Sequence, residues 1–227
     1  MQRHPSSEPP ILKNDEHSPQ ANEEAVVLVH GIWMQGFLMK LMAKRLKAQG
    51  FDTHVVSYRF LKQTPAENAT ILKAKCDELT HRTVHWVGHS LGGIVILHLL
   101  EQNTDLPPGK VVLLGSPVRG SAFASKLYRN RLFRPLLGRS VENGLLGGAP
   151  EYTFDRPLGI ITGSLRLGLG SVLFAVEGSD GVVSVEETRL QGITDEISVR
   201  YTHSMMVFSK QCARRVAEFL THGHFTR

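Results

Sequence analysis

The chain has 227 residues, 41% of them hydrophobic and 21% charged, with a formal net charge of +5. That length fits one ordinary domain with a sizeable core, and apolar runs such as AVVLV and GIVIL are far too short to span a bilayer. The basic residues are scattered and come with no zinc-ligand spacing, recognition-helix pattern or aromatic-basic platform, which excludes nucleic acid as a partner.

Residues 1–24 contain four prolines, no helical period and no apolar stretch resembling a secretory signal. They are read as a flexible polar lead-in to a single domain over residues 25–227, and the missing signal predicts a cytoplasmic protein. AVVLVHG, residues 25–31, is a β-branched run ending in glycine, the pattern of a buried strand. Residues 37–50 place Phe37, Leu38, Leu41, Met42 and Leu46 near helical spacing, with Gly50 as the stop. DTHVVSY, residues 52–58, is a second strand. A helix is predicted over 64–79, with Thr64 as N-cap, Pro65 in the first position and Glu67 completing a capping box. Strand, helix and strand follow over 83–88, 91–103 and 110–116. After an irregular stretch from Ser121 to Pro150 come strands over 157–164 and 196–203, then an amphipathic helix over 205–220. Cys76 and Cys212 fall in predicted helices and are expected as reduced core thiols rather than a lone disulfide.

Apolar strands separated by helices predict an α/β fold, a mostly parallel six-stranded sheet with helices on both faces and no large cap domain. In such sheets ligands sit at the carboxyl ends of the strands, so the residues just after each strand carry the functional expectation. One such segment, Gly88-His89-Ser90-Leu91-Gly92, matches the nucleophile elbow G-x-S-x-G between a strand and a helix. A strand turning abruptly into a helix projects its apex side chain out of the sheet. The surrounding backbone comes so close that positions two before and two after tolerate little beyond glycine.

A serine hydroxyl is a weak nucleophile until a base takes its proton. His203 ends the last predicted strand, after EISVRY, and precedes the last helix, where that base is expected. Asp180, in a Gly-rich turn before VVSV, is the expected carboxylate, placed to orient the imidazole and stabilise its charged form. Asp155 and Asp195 precede their strands and fall at the wrong end of the sheet, which leaves Glu177 as the competitor. Two backbone N–H groups are expected to receive the developing oxyanion, that of Leu91 after the nucleophile and that of Ile32 in the loop after the first strand. His30 and Gly31 shape that loop.

Taken together, VVLVHGIW, VGHSLGG, LLGSPVRGS, SDGVVSV and YTHSMM occur in the order found in the α/β-hydrolase superfamily of serine esterases and lipases, which the chain resembles over about residues 25–221. The nearest likeness is to small triacylglycerol-lipase-like and GPI inositol-deacylase-like bacterial esterases. The resemblance implies Ser90, Asp180 and His203 as triad, Ile32 and Leu91 as oxyanion donors, and acyl transfer to water without metal or organic cofactor. GSPVRGS is similar to a Thr-Pro-x-x-Gly-Ser stretch of many lipases, with Ser116 in place of the threonine. A small-molecule or lipid ester is the expected substrate. An acyltransferase or thioesterase on the same triad, or a non-catalytic protein of this fold, remain the alternatives. Residues 121–148, with Lys126, Arg129, Arg131, Arg134 and Arg139 among leucines and aromatics, either cover an acyl pocket, rest on an anionic lipid surface, or form an ordinary helix packed against the sheet. Trp33, Met34 and Phe37, and the apolar loop over 165–178, are candidate linings of an acyl channel.

Overall fold

The computed structural model describes residues 23–165 and 179–226. The first 22 residues, most of the predicted lead-in, lie outside the described residues. So do Glu177 and all but the first residue of the 165–178 loop.

Six strands form one sheet: β1 (Glu24–Val29), β2 (Asp52–Val56), β3 (Thr83–His89), β4 (Val111–Leu114), β5 (Leu158–Gly163) and β6 (Asp195–Val199). All neighbours pair in parallel, in the order β2-β1-β3-β4-β5-β6. The two outer strands alternate or remain half-buried, while β4 and β5 are buried along their whole length. That is why the central strands read as unbroken apolar runs: both of their faces are covered.

The two faces bury separate cores. On one, Ala25, Val27 and Val29 pack with residues of α2 (Pro65–Asp77) and α3 (Leu91–Gln102). On the other, Val26 and Leu28 pack with α1 (Lys40–Lys47) and the C-terminal helix. The capping box at α2 is present, with the Thr64 hydroxyl and the Glu67 carboxylate each accepting from the other's backbone N–H. Cys76 and Cys212 are both free and buried. Burial pushes the Cys212 thiol up to about 11, so both behave as core residues.

Three local features depart from the linear reading. Residues 37–50 begin with a 3-10 turn, Gly36–Met39, before α1. The VVSV run leads into a helix that the sequence did not announce: Ser184 caps a short helix, α5 (Val185–Thr188), through a second capping box with Glu187. The single C-terminal helix is two, α6 (Met205–Phe208) and α7 (Lys210–His222). Ser209 sits extended between them and its hydroxyl accepts the Cys212 N–H, which stabilises a new helix start where the apolar period runs on unbroken. Residues 121–150 contain α4 (Ala122–Arg129) and two 3-10 turns. Among the described residues no helix is long and apolar enough to cross a membrane.

Candidate active site

Chain order and sheet order diverge at β1: the chain passes to β2 on one side of it and returns to β3 on the other. Such a switch point opens a crevice at the carboxyl ends of the two strands. The loops after β1 and β3 meet there. They border a cleft of about 130 Å³, lined by Ile32, Trp33, His89, Ser90, Val183 and His203, with further walls from the 121–148 segment.

Ser90 is the apex between β3 and α3, at φ 53° and ψ −124°. That is the mirror image of an ordinary extended conformation, open to glycine and strained for a residue with a Cβ. Its N–H donates to the Leu114 carbonyl of β4 at 2.9 Å, which fixes the apex to the sheet. A Cβ on Gly88 would lie 2.6 Å from the Gly93 backbone, and one on Gly92 would overlap the carbonyl oxygens of Val29 and His30. A Cβ on Gly31 would stand 2.9 Å from the Ser90 Cβ. The glycines therefore let three backbone segments converge on one hydroxyl. The strain yields a prediction. Ser90→Gly is expected to be more stable than Ser90→Ala by about 1 kcal/mol, the relief of strain less the cost of glycine flexibility. The melting temperature should differ by about 2–4 °C, and a glycine variant that melts below the alanine variant would show that the apex is relaxed.

His203 and Asp180 lie beside this apex. The imidazole Nδ1 stands 2.7 Å from Asp180 Oδ2, and both side chains are nearly buried. The other carboxylate oxygen, Oδ1, accepts the backbone N–H groups of Val182 at 3.0 Å and Val183 at 2.8 Å. Two further backbone bonds, Asp180 N–H to Val183 O and His203 N–H to Asp180 O, lock the turn to the base. A carboxylate so held accepts the imidazole N–H in one direction only, which leaves Nε2 as the proton acceptor. The pair packs over Gly115, at φ 55°, where a Cβ would fall 3.2 Å from both Asp180 Oδ2 and His203 Nδ1.

Leu91 is the first residue of α3, so its N–H has no intrahelical partner. Ile32 lines the cleft from the β1 loop. That loop is braced as expected at His30, whose ring stacks on Tyr58 at 4.5 Å and whose carbonyl accepts the Tyr58 hydroxyl at 2.7 Å. Ile32, Ser90 and His203 thus line one cleft, with Asp180 buried against His203 and Leu91 next in the chain after Ser90. Asp195 stays at the far end of the sheet, where it accepts the Phe225 N–H.

His89 is a contributor that the sequence pattern left as the variable position of the elbow. Its Nε2 donates to the His203 carbonyl at 3.0 Å, and the two rings lie 4.6 Å apart. Full burial holds the His89 imidazole well below its ordinary value, so it stays neutral beside the catalytic histidine candidate. The Asp180 amide cradle and the Tyr58 brace were equally invisible in the sequence.

Trp33 and Met34 line the cleft as anticipated, whereas Phe37 does not and is 58% exposed. The 121–148 segment supplies Ser121, Phe123, Ala124, Leu137 and Leu145 to the wall, so it covers the pocket while also containing a packed helix. Trp33 fastens it, donating from Nε1 to the Leu136 carbonyl at 2.8 Å and meeting Phe123 edge-on. Of its basic residues, Arg134 lies over the Tyr128 ring and Arg139 pairs with Glu67 and Glu142. Leu132, Phe133 and Leu136 are exposed beside them.

Comparison with known proteins agrees with this architecture. Residues 26–184 match the model of a family described as the alpha/beta hydrolase family. No curated protein matches. Among solved structures, the chain is similar to a metagenomic carboxyl esterase (TM-score 0.64, 16% identity, 80% of this chain and 65% of that one). It is also similar to an esterase from Exiguobacterium antarcticum (TM-score 0.61, 14% identity, 87% and 92%). A monoacylglycerol lipase from Paleococcus ferrophilus gives a TM-score of 0.58 at 17% identity, covering 87% and 94%. These likenesses describe the fold.

Proposed function

The chain belongs to the alpha/beta hydrolase family, and from that premise we propose that it is a serine hydrolase of carboxylic esters. Ser90 Oγ attacks the ester carbonyl carbon while His203 Nε2 takes the hydroxyl proton. The C=O electron pair moves onto oxygen, where the N–H groups of Ile32 and Leu91 receive the negative charge. Collapse of the tetrahedral species expels the alkoxide, which leaves as an alcohol with the proton returned by His203. Water, deprotonated by the same imidazole, then attacks the acyl-enzyme and releases the acid and Ser90. Asp180 holds the imidazole in the required tautomer and stabilises its charged form.

The observation that carries this reading is the 2.7 Å contact between His203 and a carboxylate clamped by two amides, beside a serine held at a strained apex. Hydrogen bonding alone would not demand the strain. The walls contributed by Trp33, Phe123, Leu137, Leu145 and Val183 favour an apolar acyl group. The similar folds of a carboxyl esterase and a monoacylglycerol lipase support that class.

The test is covalent labelling with a fluorophosphonate, followed by peptide mapping. The expected adduct sits on Ser90 in the wild type and is lost in His203→Ala. A folded wild type that takes no adduct, or takes it elsewhere, overturns the assignment; a positive result is followed by p-nitrophenyl esters graded by acyl length.

A further inference from the structure

We propose that Asp52, His54 and His81 form a divalent-metal site, with Zn²⁺ as the preferred ion, at the amino end of the sheet. Asp52 and His54 are two apart on β2 and so share one face of that edge strand. His81 comes from the loop between α2 and β3. Since β1 lies between β2 and β3, His81 reaches across the end of β1 to its partners. His54 Nε2 stands 3.0 Å from Asp52 Oδ2, and His81 Nε2 stands 3.1 Å from the same oxygen. One ligand atom from each of the three side chains lies within 4.8 Å of the others.

The separations that serve a pair of hydrogen bonds also suit a shared cation. Ligand atoms about 2.0–2.1 Å from zinc in a tetrahedral site stand roughly 3.3 Å from one another, close to the two separations from Asp52 Oδ2, while the histidine nitrogens lie within 4.8 Å of each other. Two imidazoles and one carboxylate are a donor set that suits zinc. His81 Nδ1 is buried and has no hydrogen-bond partner among the described residues, so no acceptor there fixes which ring nitrogen carries the proton. Nε2 faces the Asp52 carboxylate as a donor, so binding a metal there would place the ring proton on the unpartnered Nδ1. The same missing support predicts micromolar rather than nanomolar affinity, because a histidine ligand is usually oriented through its second nitrogen. All three side chains keep partial exposure, at 36%, 23% and 16%, which leaves room for water to complete the coordination.

His81 and Ser90 lie at opposite ends of β3, on the order of 20 Å apart. The ion would therefore act as a strap, tying the half-exposed edge strand β2 to the entry of β3, and would take no part in the chemistry at Ser90. No zinc spacing is legible in the sequence because the ligands come from two elements separated by a whole helix.

The test uses the full chain, stripped with a chelator and titrated with ZnCl₂ by calorimetry. One equivalent is expected to bind. His54→Ala and His81→Ala should each weaken it at least tenfold, while His222→Ala/His224→Ala, which removes a neighbouring histidine pair near the C-terminus, should not. Zinc should raise the melting temperature of the wild type and not of the first two variants. Unchanged affinity in His54→Ala and His81→Ala, or no bound zinc in the wild type, overturns the proposal. Should those variants fail to fold, diethyl pyrocarbonate modification of the wild type decides: zinc is expected to protect His54 and His81, and equal modification with and without zinc overturns the site.

Discussion

Asp180→Asn is expected to lower kcat for ester hydrolysis by about 10⁴-fold while leaving the protein folded, a magnitude typical of breaking the carboxylate–imidazole bond of a serine triad. The reason lies in how the carboxylate is divided. Oδ1 is committed to the amides of Val182 and Val183, and Oδ2 faces His203 Nδ1. An asparagine must keep its oxygen toward the two amides, since an NH₂ group there would oppose two N–H donors. Its NH₂ then points at Nδ1, which turns into an acceptor, and the ring proton moves to Nε2. A protonated Nε2 cannot accept the Ser90 proton, so chemistry stops at the first step. The turn loses little, because its other bonds, from Asp180 N–H to Val183 O and from His203 N–H to Asp180 O, are made by the backbone. Asp180→Asn kinetics within tenfold of wild type, in protein with an unchanged melting temperature, would remove Asp180 from the triad and return attention to Glu177.

The parts of this molecule that were legible in the sequence are those decided locally. β1, β4 and β5 announce themselves as nearly unbroken apolar runs because both faces of a central parallel strand are buried. Thr64 and Glu67 announce the start of α2 because both halves of a capping box lie within four residues. Ser90 was legible because its glycines answer to contacts with the chain immediately before and after it and with one neighbouring strand. What stayed hidden depends on partners distant in sequence. His89 holds the carbonyl of a residue 114 positions away, and Tyr58 braces His30 from 28 positions away. Neither pairing has a spacing rule. Ser209 shows the converse failure. A local cap was present there, but the apolar period continuing across it outweighed a single serine as a signal.

Gly92→Ala is expected to destabilise the protein by about 3 kcal/mol or more, against the usual sign of this substitution. In an ordinary helix interior the change from glycine to alanine stabilises by about 0.5–1 kcal/mol, and Gly92 is the second residue of α3. Here the added Cβ would overlap the carbonyl oxygens of Val29 and His30, which are backbone atoms at the end of β1. No rotamer change relieves such a clash, so α3 or β1 must move. Either shift breaks a well-packed core, since Val29, Leu91 and Ile94 are essentially buried. Gly93→Ala offers the contrast. Its Cβ would meet the Ser116 side chain, whose hydroxyl has no hydrogen-bond partner among the described residues and can turn aside, leaving the 2.8 Å approach to Ser116 Cβ as the remaining strain and no backbone atom among the closest contacts. The melting temperature should therefore fall by roughly 6–12 °C for Gly92→Ala and by less for Gly93→Ala. The same approach of β1 to α3 is what brings the Ile32 loop to Ser90. A Gly92→Ala variant as stable as wild type would therefore mean that β1 and α3 stand further apart than described. The pairing of Ile32 with Leu91 around one oxyanion would lose its structural basis.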